Sequence, residues 1–428
     1  MLKNLARRII VRVLMYEAKA ILKKYRPKII IVTGSVGKTS AKDAVYTALS
    51  SSFFIRKSEK SFNSDIGVPL TVIGAPSGWM NPIQWLRNIV DGASLIFLSL
   101  PYPKYLVIEV GADRPGDISR TLSWLTPDMV VATRFPDVPV HVEFYASPEA
   151  VFKEESAPAL WLPDSGTLIY NADDFRASAL VPRGKRISFG FGKDADVKAT
   201  RFHTLSKNKM PAGISFDVSY KAERAHVSVS GILGKTHAYA VLAGLAAGVA
   251  EGMPVTLAAS AFLKHVPPAG RMRLIAGIKN SVLIDDSYNA SPVATEEALQ
   301  ALTDVPRRGR RIAVLADMLE LGSFSVAEHR RIGVLAARSC DVLITAGVRA
   351  RGIADSAREN GMPEESTHEC ENSIGVGAYL TPIIQAGDVI LIKGSQSMRM
   401  EYAVRELMAE PEKAGELLVR QDTEWQNR

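Results

Sequence analysis

The apolar residues of this chain fall into two kinds of run. Blocks rich in Ile, Val and Leu recur at 29–32, 105–111, 128–133, 167–174, 281–286, 311–317, 342–346 and 388–393. Each is bounded by Gly, Pro or polar residues and reads as a buried strand. Between them, segments near 41–45, 147–160, 238–251, 293–302 and 325–338 carry helical spacing or are alanine-rich. Strand alternating with helix predicts an α/β architecture with a mostly parallel sheet and ligands at the carboxyl ends of its strands. Residues 214–220 and 226–230 alternate with a period of two and predict antiparallel strands at an edge. Pro267-Pro-Ala-Gly270 is the expected linker, giving three parts: 1–27, 28–266 and 267–428. The last should be a doubly wound, Rossmann-like unit with three or four βα repeats, its polar tail beyond about 410 frayed.

Two further segments read as helices, the first amphipathic and the second apolar. In 2–24, Leu2, Leu5, Ile9, Val13 and Tyr16 repeat at helical spacing, with Arg7, Arg8, Arg12 and Lys19 between them. Such a helix either lies on an anionic membrane surface or packs on the body of the protein with its charges solvated. The second, 82–100, is broken by Asp91-Gly92 and stopped by Pro101 and Pro103, so it reads as a core or surface-docking helix rather than a membrane span.

Composition narrows the function classes. The 428 residues carry a net charge of +7, but 1–28 alone hold nine Lys or Arg against the single acid Glu17. The rest of the chain is close to neutral, which argues against a nucleic-acid-binding body. Cys340 and Cys370 lack metal spacing and read as thiols of a reducing compartment. With no cleavable signal pattern, the expected setting is the cytoplasm, with peripheral membrane contact through 2–24 as the open alternative.

The sharpest motif is Gly34-Ser-Val-Gly-Lys-Thr-Ser40, placed between a buried strand and a helix. Gly34 and Gly37 let the backbone approach phosphate oxygens, and the amides opening the helix point at the anion. Lys38 suits the β/γ oxygens of ATP and the Thr39 hydroxyl suits Mg²⁺. The expectation is a P-loop ATPase domain. Glu109, an acid in a buried strand beside this loop, is placed to hold Mg²⁺ or its water.

Taken in order, the motifs resemble one family. Gly34 to Thr39, Asn63-Ser-Asp-Ile-Gly-Val-Pro-Leu-Thr71, Glu109-Val-Gly-Ala112 and Asn171-Ala-Asp-Asp174 precede the linker. Ile284-Asp-Asp-Ser-Tyr-Asn-Ala-Ser-Pro292, Asp317-Met-Leu-Glu-Leu-Gly322 with His329, and Lys393-Gly-Ser-Gln-Ser-Met-Arg-Met400 follow it. This is similar to the Mur ligases over about 28–405, and within them to those that add D-alanyl-D-alanine to a UDP-N-acetylmuramoyl tripeptide.

The resemblance implies an ATP- and Mg²⁺-dependent amide ligase of peptidoglycan precursor synthesis working through an acyl phosphate. It implies that Ser35, Lys38, Thr39 and Ser40 hold the nucleotide and that Glu109 and His141 hold a second Mg²⁺. Arg271 would reach the γ-phosphate, while Asp286 would face the nucleoside beside Tyr288 and Asn289. Asn63, Asp65, Asn289, Asp317, Lys393, Ser395 and Arg399 would receive the peptide substrates, with the last four on the second domain's side of the cleft.

Three departures set further expectations. The family grips its UDP-sugar with an extra N-terminal domain, whereas here the basic helix precedes the phosphate loop. The acceptor would then be held by the ATPase domain, by a partner or at a membrane. The family's carbamylated lysine, counted from His141, falls on Glu155. Lys153 lies two residues earlier, about 200° round a helix, and does not simply substitute. The family's adenine-side pattern reads here Gly234-Lys-Thr-His-Ala-Tyr-Ala240, which puts His237 and Ala240 where two asparagines are expected. The competing readings are a Mur-like ligase for another, lipid-linked carboxylate and a non-catalytic nucleotide-binding scaffold at the membrane.

Overall fold

The computed structural model describes residues 2–59, 65–79, 81–306, 308–422 and 425, and the side chains from residue 9 onward. Helix α1 (Leu2–Tyr25) leads into strand β1 (Lys28–Thr33). There follow α2 (Lys38–Ser50), β2 (Ile55–Lys57), α3 (Gly67–Ile73), α4 (Pro82–Phe97), β3 (Tyr105–Glu109), α5 (Asp117–Leu122) and β4 (Met129–Ala132). Then come α6 (Pro148–Leu160), β5 (Thr167–Asn171), α7 (Phe175–Ser178), β6 (Lys185–Gly190), β7 (Val197–Lys207), β8 (Met210–Tyr220), β9 (Glu223–Ser230) and α8 (Lys235–Ala250).

The nine strands form one sheet in the order β2-β3-β1-β4-β5-β6-β7-β8-β9, parallel up to β7 and antiparallel at its β7-β8-β9 edge. Strand β1 lies between β3 and β4, so the loop after it opens at the point where the strand order reverses. Its apolar run is continuous because both faces are covered. Ile30 and Val32 pack under α2 and α8, and Ile29 and Ile31 pack under α1 and α3. Helix α8 has small side chains because it lies against α2: a side chain at Gly244 would meet the Ala44 carbonyl.

The second sheet holds β10 (Arg273–Ala276), β11 (Val282–Asp286), β12 (Arg311–Ala316), β13 (Val342–Ala346), β14 (Thr367–Cys370) and β15 (Val389–Lys393). Its order is β10-β11-β15-β12-β13-β14, parallel except at β10–β11. A mixed α/β fold with two mostly parallel sheets is therefore present.

Two expectations change here. The tail is not frayed to Arg420. Leu418 and Arg420 are buried, and the Arg420 guanidinium pairs with Glu401 at 2.9 Å and donates to the Ser287 and Tyr288 carbonyls. A polar segment is held by a buried ion pair, which hydropathy does not report. Second, α4 runs unbroken through Asp91-Gly92. Gly92 is the contact point with α1, and a side chain there would collide with the Glu17 carboxylate. Of the two readings of α1, packing on the body is the one present: Leu14, Ala18 and Ile21 share a core with Leu70 and Leu95.

Glu17 is buried at that crossing, and its Oε2 has no hydrogen-bond partner among the described residues. Burial pushes its carboxyl up from 4.5 to about 7. A raised carboxyl supports the fold below its unfolded value and withdraws that support as pH rises through the folded one. The Glu17→Gln variant should match the parent's thermal midpoint below pH 4.5 and exceed it above pH 7. Equal midpoints at both extremes would show that the carboxyl is solvated.

Candidate active site

The phosphate loop is shaped by two glycines. Gly34 has φ +120°, and a side chain there would collide with the Thr133 hydroxyl. Gly37 has φ +86° and opens α2, with no atom within 4 Å of where its Cβ would stand. Space for an anion therefore lies against the first amides of the helix. Lys38 Nζ donates to the Gly34 carbonyl at 2.5 Å and is 3.8 Å from Glu155. Ser40, also in the first turn, is buried.

Glu109 ends β3 beside this turn. The Thr39 hydroxyl donates to its Oε1 at 3.2 Å. Its Oε2 is buried and accepts no hydrogen bond among the described residues, with Lys42 Nζ 3.8 Å away. Lys42 is almost fully buried, which lowers its pKa, while Glu109 and Asp43 oppose that shift. Lys42 was not legible as a site residue, although it stands one helical turn after Lys38 on the same face.

Glu155 comes from α6, whose start is capped by Ser147 accepting from the Ala150 amide. It is fully buried, and its carboxylate accepts from the Ser35 hydroxyl. The Thr33 hydroxyl donates to its backbone carbonyl at 2.5 Å. Burial pushes the Glu155 carboxyl up, against the pull of Lys38, Ser35 and His141. Lys153 is exposed, so Glu155 is the residue that stands at the phosphate loop.

The second domain contributes from across the cleft. Arg271 Nη2 donates to the Thr39 hydroxyl at 2.9 Å, and the guanidinium stacks 4.1 Å from the Tyr288 ring centre. His237 is buried, which lowers its pKa and keeps it neutral, and its Nε2 donates to the Arg271 carbonyl at 2.7 Å. His141 has φ +70°, with Nδ1 2.5 Å from Glu320 and Nε2 3.4 Å from Asp113. The His141 ring holds the Glu320 carboxyl below its usual range. Asp286 and Lys393 are register neighbours on β11 and β15, paired at 2.5 Å. Lys393 also donates to the Asn289 carbonyl at 3.0 Å, and Asp286 accepts from the Met272 amide at 3.2 Å.

Lys38, Thr39, Glu109, His141, Arg271, Asp286, Asn289, Lys393 and Ser395 all line one large cleft between the two sheets. Other expected residues stand apart from its lining. Asp317 accepts from the Ala350 amide at 2.7 Å, with Arg349 3.8 Å away. Arg399 pairs with Glu401 at 2.6 Å and stacks on Tyr402. Asp65 is half exposed near Arg120. Asn63 lies outside the described residues. Behind Gly37, a smaller pocket is lined by Val36, Asn171, Thr236, Tyr239, Ala240 and Glu297. Glu297 accepts from Thr236 at 2.6 Å and pairs with Arg134. This is the side where the resemblance put adenine, and Ala240 is part of its lining.

Two family models match the chain, the Mur ligase middle domain over 87–248 and the Mur ligase glutamate ligase domain over 270–396. The chain belongs to the Mur ligase family. The ligase is 27% identical over 404 residues to UDP-N-acetylmuramoyl-tripeptide–D-alanyl-D-alanine ligase of Bacillus subtilis, covering 92% of this chain and 79% of that protein. It is 29% identical over 392 residues to the enzyme of that name in Escherichia coli, covering 89% and 76%. In fold it is similar to the MurF ligase of Thermotoga maritima solved with ADP, with a TM-score of 0.76 at 22% identity over 94% of this chain and 84% of that one. The first sheet is thus the ATP-binding middle domain of a Mur ligase and the second its Rossmann-like C-terminal domain. Members of the family are ATP-dependent ligases, and the cleft gathers the charges such a reaction needs.

Proposed function

We propose that this ligase joins D-alanyl-D-alanine to the terminal carboxylate of a UDP-N-acetylmuramoyl tripeptide, with cleavage of ATP to ADP and phosphate. The supporting observation is the convergence of Lys38, Thr39 and Glu109 with Arg271 at one phosphate loop, in a chain whose relatives of that name match it over most of their length. An acceptor carboxylate oxygen attacks the γ-phosphorus of ATP, and the bond to the β-bridging oxygen breaks. The dipeptide amine then attacks the acyl carbon, and the tetrahedral intermediate expels phosphate to leave the amide. No protein nucleophile is required, because positioning and charge neutralisation dominate phosphoryl transfer. Lys38 serves the phosphate oxygens, and Arg271 meets them from the second domain.

The donor set fits Mg²⁺. Glu109 Oε2 is a buried carboxylate oxygen without a hydrogen-bond partner among the described residues, and the Thr39 hydroxyl lies beside it. No group of three or more His, Cys, Asp or Glu forms a metal cage among the described residues. That suits a cation bound by one or two protein groups together with substrate phosphates. Thr39 and Glu109 would hold it, with His141 and Glu155 as the further candidates. When bound, it would neutralise charge on the phosphate oxygens.

A second reading is favoured by the far end of the cleft, which is lined by Ile10, Ile66, Leu70, Trp79 and Trp85. An acceptor with an apolar, lipid-linked carrier matches that end better than a nucleotide diphosphate does. The deciding experiment is phosphate release with ATP, Mg²⁺, D-alanyl-D-alanine and UDP-N-acetylmuramoyl tripeptide, omitting each in turn. Release that needs both peptide substrates is the expected result. No stimulation by that pair, in protein that binds ATP, would overturn the first reading and direct the search to lipid-linked carboxylates.

A further inference from the structure

We propose that the face formed by α1 and α4 docks on an anionic lipid bilayer. Helix α4 turns large apolar side chains outward at helical spacing. Ile83, Leu86, Val90 and Phe97 are exposed, Leu86 by 63% and Phe97 by 83%. Leu98 and Leu100 extend the strip past the helix end. A contiguous apolar strip of this kind marks a contact surface, whereas single exposed residues do not.

Helix α1 lies alongside. Ile10 and Trp85 line the same end of the cleft, Glu17 meets Gly92, and Lys24 Nζ donates to the carbonyls of Leu95, Ile96 and Leu98 at 2.9, 3.0 and 2.6 Å. Lys24 thus closes the C-terminal end of α4 and ties the two helices together. The outer side of α1 carries Arg12, Tyr16, Lys19 and Lys23, all exposed and all within one helical face. The exposed Asp91 on α4 is offset by the exposed Arg87.

The apolar strip of α4 would enter the acyl boundary, while the basic row on the neighbouring α1 adds attraction to anionic headgroups. A second copy of this chain is the poorer occupant, because a twofold contact would bring two basic rows together. Among the described residues no helix is long and apolar enough to cross a membrane, so the contact is with the surface. The orientation has a use for catalysis. Ile10, Trp79, Pro82 and Trp85 place the apolar mouth of the cleft at the edge of this face. The docking itself does not depend on which acceptor the ligase uses.

The test is flotation of the full chain with mixed phosphatidylcholine–phosphatidylglycerol vesicles and with pure phosphatidylcholine vesicles. Binding is expected to the mixed vesicles and to weaken in high salt. Leu86→Glu with Val90→Glu should abolish it, and Arg12→Glu with Lys19→Glu should lower it by roughly fivefold or more per basic group lost. All four positions are outside the phosphate-loop machinery, so nucleotide binding reports that each variant is folded. The two variant pairs act on different helices, and either can decide if the other fails to fold. No vesicle binding, equal binding to neutral vesicles, or binding unchanged in the variants would overturn the proposal. So would a dimer in light scattering that Leu86→Glu dissociates in protein that ignores vesicles.

Discussion

Lys38→Met should reduce ATP-dependent phosphate release by about a thousandfold or more, the scale seen when a cation is removed from a transferring phosphoryl group. The loss should fall mainly on kcat. Lys38 is anchored by its own loop, through the Gly34 carbonyl, and its side chain retains some solvent contact. Met keeps the aliphatic stem, so the variant should still fold. Its neighbours Thr39 and Glu109 remain paired and keep the shape of the loop. Activity within about tenfold of the parent would show that the phosphates do not pass this lysine.

Glu155→Gln should separate activity from stability. The carboxylate is fully buried, and burial raises its pKa against the pull of Lys38 and Ser35. A raised carboxyl favours the fold in its protonated form, so ionising it as pH rises withdraws stability. Gln keeps the shape and drops the charge, so above neutral pH the variant should melt no lower than the parent, and higher if Lys38 finds water. The ionised form is the one that can face Lys38 and a cation. Parent activity should therefore rise with pH through a limb above the usual carboxylate range. The variant should lose that limb, together with on the order of a hundredfold in rate at alkaline pH. A variant as active as the parent, with the limb intact, would make Glu155 a filler of the loop's floor.

Much of this arrangement was legible in the sequence because it is local. Strand β1 announces itself by β-branched residues that fill both faces, and the loop that follows must carry glycine where φ is positive. The edge strand β14, Thr-His-Glu-Cys, is not legible in sequence because its polar residues carry no apolar block. What the chain hides is pairing between distant positions. Nothing near Asp91-Gly92 reveals that Glu17 needs the space, so in sequence the glycine reads as a break rather than a contact. Nothing near the tail reveals that Arg420 has Glu401 waiting in the core. His141 with Glu320 and Arg134 with Glu297 join the two sheets across long stretches of sequence, and no periodicity encodes such partners.

The hydroxyl of Thr39 has a single proton, given to Glu109, and it also accepts from Arg271. Only one of its lone pairs is left. An ion that takes that lone pair would share the oxygen with Arg271, so its binding and the hold on Arg271, with the sheet behind it, would be coupled. By thermodynamic reciprocity, whatever moves that sheet alters how tightly the loop grips its ligand. One small oxygen thus ties the grip of the phosphate loop to the seating of the second sheet.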